Sequence, residues 1–341
     1  MKEVVSFDDV LLVPKVSSIM SRLAVNTSVT VGKLRLGIPI ISSPMDTITE
    51  GEMATEIGRL GGLGIIHRFC HVDNQIEFLR QPIDAGVYAG FAVGIGPTEE
   101  DRFSKIYNEL GDNLDVVCID VANGHHMAME RAIDFIRNKA PKISIMAGNV
   151  ATEEGYNFLA DLGADSVRVG IGGGSICSTR IQTGFGAPTL TSIMWAAKSK
   201  RDDVSIIADG GIRYPSDITK SLAAGADAVI CGNILAATAE TPGEIIIKNN
   251  ISYKRYRGMA SEEVQKEIRG GLKPGTCAEG TSTLIQLKGP VKSILDNFIG
   301  GLASALTYNG SLDIRHLQEN SEFIRITNSG IKESHSHGTI K

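Results

Sequence analysis

The sequence predicts an α/β chain folded as a (β/α)8 TIM barrel, and three observations carry that prediction. Eight short apolar, β-branched runs recur along the 341 residues, with helical patterns between them. The runs are apolar throughout rather than alternating, as parallel strands buried on both faces are, and most end in Gly, Ser, Asn or Asp. The chain also holds 38 glycines against only 5% aromatic residues, a balance that suits tight βα turns and close backbone approach to a ligand. The competing arrangement is a doubly wound sheet. Its dinucleotide fingerprint is missing, because Gly170-Ile171-Gly172 runs on to Ser175 where the third glycine should stand.

Taken in order, residues 1–38 read as an N-terminal arm with a hairpin, Val29–Val31 and Leu34–Leu36. The strands follow at 39–43 (PIISS), 62–67 (GLGIIH), 88–94 (YAGFAVG), 116–121 (VVCIDV), 144–149 (SIMAGN), 166–172 (SVRVGIG), 205–210 (SIIADG) and 228–233 (AVICGN). Met53, Ile57 and Leu60 form a helical stripe after the first strand. After the third, Thr98 with Asp101 reads as a capping box, and Phe103, Ile106, Tyr107 and Leu110 fall at helical spacing behind it. The similar segments 163–167 (GADSV) and 225–229 (GADAV) each put a helix-ending glycine just before a strand. Residues 251–290, rich in glycine and charge, interrupt the last βα unit and are expected to form a mobile flap over the catalytic face. The tail after Ser329, ending KESHSHGTIK, is expected to be flexible unless a neighbouring subunit orders it. The whole chain, 1–341, is thus read as one barrel domain.

Composition narrows the function classes. A hydrophobic content of 42% supports a sizeable core. No run approaches the ~18 apolar residues of a membrane-spanning helix, and the opening MKEVVSFDDVLL lacks the long apolar stretch of a secretory signal. The net charge of −5 comes without a basic block, so neither a nucleic-acid nor a membrane partner is expected. Five cysteines, an odd number without CxxC spacing, point to reduced thiols in a cytoplasm rather than to disulfides or zinc.

In a barrel of this kind the chemistry belongs to the loops at the strands' C-terminal ends. The sixth such loop, 170–180, reads GIGGGSICSTR. Its consecutive glycines let backbone groups converge on an ion or phosphate, and Cys177 at its end is a candidate nucleophile. Cys118 and Cys231, inside strands, read as structural thiols. The seventh and eighth strands end in Asp209-Gly210-Gly211 and Gly232-Asn233, where barrels commonly cradle a phosphate, with Asp209 placed to accept hydrogen bonds from a ribose. A plain turn gives the same string. His125-His126 invites a metal reading, but no third ligand stands at suitable spacing. His335 and His337 read as tail residues.

The strings GIGGGSICSTR, AGNV (147–150), ADGGI (208–212) and YRGMAS (256–261) resemble the IMP dehydrogenase/GMP reductase family. FDDVLLVP (7–14), SSPMDT (42–47) and GIIH (64–67) extend the resemblance over nearly the whole chain. It implies a barrel that assembles as a homotetramer, binds a purine nucleotide and a nicotinamide cofactor, and passes through a covalent thioimidate on Cys177. It further implies that Ser175, Gly211, Gly232, Asn233 and Tyr256 hold the phosphate, and that Asp209 holds the ribose. Met259 and Ala260 would lie along the base, with Ser43, Met45, Asn149 and Gly258 also in the substrate site. Asp120, Ala122 and Asn123 would face the cofactor. The carbonyls of Gly172, Gly174 and Cys177 resemble the family's potassium site, to which Glu333, Ser334 and His335 of a neighbouring subunit would contribute. Ser178 departs from the family's more common Thr, and Asn233 from its Gly or Ser.

Within the family, the dehydrogenase hydrolyses its intermediate with an Arg-Tyr pair on the flap, and the reductase lacks that pair. The flap here, MASEEVQKEIRGGLKPGTCAEG, is short and contains no Arg-Tyr; Arg269 is followed by Gly270. The segment DVANG (120–124) also resembles the reductase, and there is no room for paired CBS regulatory modules after the second strand. YRGMAS, the IKESH tail and Thr276 resemble the dehydrogenase instead. The expectation is therefore an NADPH-dependent GMP reductase with Thr179 and Glu279 as proton relay; the alternative is an IMP dehydrogenase without CBS modules. Without the resemblance, Glu279 reads as an ordinary surface carboxylate. An FMN-dependent barrel would share the phosphate cradle but has no need of Cys177. A catalytically silent nucleotide sensor is the third class.

Overall fold

The computed structural model describes residues 3–272 and 274–334; His335, His337 and the end of the tail lie outside them. Eight parallel strands close into a barrel: β1 Ile40–Ser42, β2 Leu63–Ile66, β3 Gly90–Val93, β4 Val116–Asp120, β5 Ser144–Val150, β6 Ser166–Val169, β7 Ser205–Asp209 and β8 Ala228–Cys231. Each pairs with its neighbours in sequence, and β8 closes the ring on β1 with Val229 opposite Ile40. All eight expected runs are strands, one to three residues shorter than the apolar stretches except in β5, which gains Val150. The residues trimmed from the C-terminal ends turn into the loops that build the site.

Apolar side chains fall into two bodies. One lies between the strands and the surrounding helices, which include α1 Gly51–Arg59, α2 Val72–Asp84, α3 Pro97–Leu110, α4 Ala128–Lys139 and α5 Glu153–Asp161. The other fills the barrel and is sealed by the hairpin Val29–Val31 and Leu34–Leu36. Val31, Leu34 and Leu36 are buried against Ile41, Leu63 and Ile207, and burial of each such side chain is worth about 1.5–3 kcal/mol. The arm is thus a plug at the N-terminal mouth, which leaves the opposite mouth for ligand. Its preceding strand, Val10–Leu12, pairs antiparallel with Phe323–Arg325 and ties the two ends of the chain together.

Met53 and Ile57 of α1 are fully buried, and Leu60 caps the helix. The start of α3 differs from expectation. Pro97 occupies its first turn after Gly96, so Thr98 lies inside the helix and forms no capping box. Proline lacks an N–H to be capped and its fixed φ is already helical, so it outcompetes a hydroxyl one residue later. Gly163 and Gly225, at φ 91° and 114°, do terminate the helices before β6 and β7's neighbour β8.

After the loop helices α6 Thr179–Thr183 and α7 Thr189–Ala197, and α8 Pro215–Ala223 beyond β7, the chain leaves β8 for the flap. This is a three-stranded antiparallel sheet of β9 Ile246–Lys248, β10 Ile251–Arg257 and β11 Ser282–Gln286, with α9 Glu262–Arg269 between the last two. The sheet starts ahead of residue 251, because Asn249-Asn250, both at positive φ, join β9 and β10 in a two-residue turn. Lys254 anchors it, its buried ammonium donating to the carbonyls of Thr238, Ala239 and Thr241 at 3.1, 2.9 and 2.5 Å. α10 Val291–Asn309 completes the ring of helices, and α11 Ile314–Asn320 and α12 Asn328–Glu333 follow. Among the described residues no helix is long and apolar enough to cross a membrane.

Candidate active site

A cavity of about 690 Å³ opens at the C-terminal ends of the strands, beneath the flap. Its wall is the loop after β6. The loop packs so closely on its neighbours that side chains are excluded: a Cβ on Gly173 would stand 2.3 Å from Thr189 Oγ1, and one on Gly170 2.0 Å from the Asp209 carbonyl. Glycine at these positions is therefore a steric requirement. The loop ends with Cys177 exposed, its thiol donating to Thr179 Oγ1 at 3.2 Å.

The flap reaches this loop through its backbone. Thr281 N–H donates to the Ile176 carbonyl and Ser178 N–H to the Glu279 carbonyl, both at 2.9 Å. Glu279 N–H donates in turn to Ala260 at 3.0 Å. Glu279 thus joins Cys177 and Thr179 in lining one cavity, although it lies about a hundred residues away in sequence. The flap's root is fixed by Arg257, whose Nη2 and Nε meet Asp46 Oδ2 at 2.7 and 3.0 Å, and whose Nη1 reaches Glu267 at 2.8 Å.

The floor is polar and buried. Arg168 in β6 is 5% exposed; its Nη2 and Nε donate to Asp209 Oδ2 at 2.7 and 3.1 Å and its Nη1 to Asp120 Oδ1 at 2.6 Å. Burial works against the guanidinium's charge, but the negative groups around it outweigh burial and raise its pKa well above the usual range. Asn149 Nδ2 also donates to Asp209 Oδ2, at 2.8 Å. Oδ1 of Asp209 takes no hydrogen bond among the described residues. Burial lifts the Cys118 thiol to about 11 and the Cys231 thiol higher still, so both stay protonated and inert at neutral pH.

Ser43, Met45, Asp120, Ala122, Asn149, Gly172, Gly174, Asp209, Tyr256, Gly258, Met259 and Ala260 line the cavity with the three residues above. Gly232 stands just behind them: a Cβ there would meet Tyr256 Oη at 3.2 Å and Met45 Sδ at 3.4 Å. Ser175 is exposed within hydrogen-bond reach of Tyr256. Gly211 lies under the loop, a Cβ there falling 3.4 Å from the Gly173 carbonyl and 3.5 Å from the Phe7 ring. Phe7 is itself held by Lys220, which donates to its carbonyl at 2.8 Å, and Asp8 by a two-pronged pair with Arg213 at 2.7 and 2.9 Å. The Asn233 carbonyl accepts from Lys288 at 2.9 Å. Asn123 is outside the cavity lining, exposed, with its Oδ1 taking the His125 N–H at 3.2 Å.

Sequence reasoning missed Arg168, and with it Arg68, Phe69 and Glu99 beyond β2 and β3 and Gln265 of the flap helix. Arg168 carried a signal: a cation inside the apolar run SVRV must find carboxylates when that strand is buried. Arg68, whose Nη1 lies 3.6 Å from Glu99, carried none. Among the described residues no group of three His, Cys, Asp or Glu could hold a metal, and His125 packs on the Phe158 ring at 4.9 Å. A monovalent cation needs carbonyls instead. Those of Gly172 and Cys177 accept no hydrogen bond among the described residues, while that of Gly174 takes the Cys177 N–H at 3.1 Å, so the loop's donor set fits such an ion.

Comparison with known proteins places this geometry. The sequence model described as IMP dehydrogenase / GMP reductase domain matches residues 4–337. Inosine-5'-monophosphate dehydrogenase of Cryptosporidium parvum is 36% identical, covering 97% of this chain and 94% of its own. The enzyme of the same name from Borreliella burgdorferi is 33% identical, covering 98% and 97%. The crystal structure of a cysteine-to-alanine variant of GMP reductase from Trypanosoma brucei, in complex with guanosine 5'-monophosphate, is similar with a TM-score of 0.92 at 26% identity, covering 100% of this chain and 99% of that one.

Proposed function

The chain belongs to the IMP dehydrogenase / GMP reductase family, and we propose that within it this protein is a GMP reductase, converting GMP to IMP and ammonia at the expense of NADPH. The observation that carries this reading is the flap: it brings Glu279 into the cavity lined by Cys177 and Thr179, and its segment 259–280 contains no Arg-Tyr pair to activate water, Arg255-Tyr256 standing ahead of that segment in β10.

In this reading Cys177 Sγ bonds to C2 of the purine and the bond from C2 to the exocyclic nitrogen breaks. The thiol proton passes to Thr179 Oγ1, its present acceptor, as Thr179 hands its own hydroxyl proton to Glu279, and Glu279 delivers that proton to the departing amine, so that ammonia leaves and a thioimidate remains. Asp120 and Ala122 would hold the nicotinamide cofactor, which would supply the hydride needed to displace sulfur from C2. Asp209 Oδ1 accepts from the ribose. Ser175, Tyr256 and the backbone at Gly211, Gly232 and Asn233 surround the phosphate, where the short loops after β7 and β8 present N–H groups. Met259, Ala260 and Gly258 cover the base from the flap, and Ser43, Met45 and Asn149 close the opposite side. Potassium on the carbonyls of Gly172, Gly174 and Cys177 would brace the loop that carries the nucleophile. Homotetramer assembly and a cytoplasmic setting belong to the same proposal.

One observation favours the second reading: the curated relatives at 33–36% identity are inosine-5'-monophosphate dehydrogenases. An IMP dehydrogenase would share Cys177 and the thioimidate but would need a base for water. The two readings separate by nucleotide absorbance. A GMP reductase consumes NADPH when given GMP and makes little NADH from IMP plus NAD; the reverse pattern overturns the proposal.

A further inference from the structure

Among the described residues Arg168 is the one buried cation in the floor of the cavity, and it serves two carboxylates from different strand ends. Asp209 ends β7, the neighbour of Arg168's own strand, whereas Asp120 ends β4, two strands away on the other side. The guanidinium spans that gap, with Nη2 and Nε on Asp209 and Nη1 on Asp120. Other groups facing the cluster supply no second cation. Cys118, 3.2 Å from Nη1, and Cys231 are buried thiols, and Tyr256 is a buried phenol. Arg68 donates to the Asp120 carbonyl at 3.3 Å, but its charge already stands opposite Glu99.

We propose that Arg168 is the positioning residue of both half-sites: its single guanidinium aims Asp209 at the nucleotide and Asp120 at the dinucleotide. The inference rests on the functional reading above, which assigns those two carboxylates to the two ligands. Its physical content is that two carboxylates on one low-dielectric floor repel unless a cation stands between them. Remove the guanidinium and Asp209 keeps only its hydrogen bond from Asn149 while facing an uncompensated Asp120. The damage to the nucleotide site therefore comes partly from a residue of the other site, and neutralising that residue should repair it.

Calorimetric titration with GMP and with IMP tests this in four proteins: native, Arg168→Met, Asp120→Asn and the double variant. Arg168→Met should weaken nucleotide binding roughly a hundredfold, the scale of truncating one partner of a buried charge pair. The double variant should bind roughly tenfold or more tighter than Arg168→Met, a second-site rescue that a purely packing role does not produce. A double variant no tighter than Arg168→Met overturns the proposal. If Arg168→Met does not fold, Arg168→Lys serves in its place: one ammonium cannot bridge both acids, so Asp120→Asn should free it for Asp209, and absence of that gain is equally fatal. Failure of the native protein to bind either nucleotide would instead strike the functional reading on which the inference stands.

Discussion

Cys177 is set apart from the two buried strand cysteines by its position. Cys118 and Cys231 have their thiol pKa raised by burial, whereas Cys177 is exposed at the end of a glycine loop with a hydroxyl to receive its proton. Cys177→Ala should therefore drop turnover below about 1% of native while GMP still binds, since phosphate and ribose contacts come from other residues; turnover above a few per cent excludes covalent catalysis. Thr179→Ala and Glu279→Gln should each slow ammonia release by roughly 10²–10⁴ and hydride transfer less. Single-turnover traces in the opposite order would break the relay. Sequence made Cys177 conspicuous because glycines flank it, but Glu279 has no local signature. Only the family resemblance singled it out, and only the pairing of residues 279–281 with 176–178 brings it to the cavity.

At the scale of the element, the glycine stretch of the nucleophile loop is held by close contact, and its end by backbone hydrogen bonds to the flap. Gly173→Ala would drive a Cβ into Thr189 Oγ1, a buried hydroxyl with no hydrogen-bond partner among the described residues. That variant should lose most activity with little change in melting temperature, and adding Thr189→Ala should restore part of it. A double variant as poor as the single would show that the contact is not what fixes the loop. If the loop's carbonyls take a potassium ion, rates should rise with potassium and respond far less to lithium at equal ionic strength. Equal rates in both salts remove the ion from the mechanism. The loop was legible because a glycine run after an apolar strand has few other uses. The flap's sheet was not: its strands IIK and STLIQ are half-exposed, so they lack the apolar continuity that marked the barrel strands, and β9 was missed entirely.

The whole molecule divides its labour between two mouths. The hairpin's Val31, Leu34 and Leu36 plug one end of the barrel, and the flap's backbone pairing covers the other. The eight strands could be read from sequence since burial on both faces leaves an unbroken apolar run. The meeting of β4, β6 and β7 through Arg168 could not, because it depends on which side chains face one another across the barrel. What the assembled site should do is expel the purine's amine through Cys177. The most direct measurement follows GMP carrying heavy nitrogen at its 2-amino group during turnover with NADPH. The account predicts labelled ammonia and IMP in equal amounts, both lost in Cys177→Ala; unlabelled ammonia, no ammonia, or XMP formed from IMP and NAD at a comparable rate would contradict it.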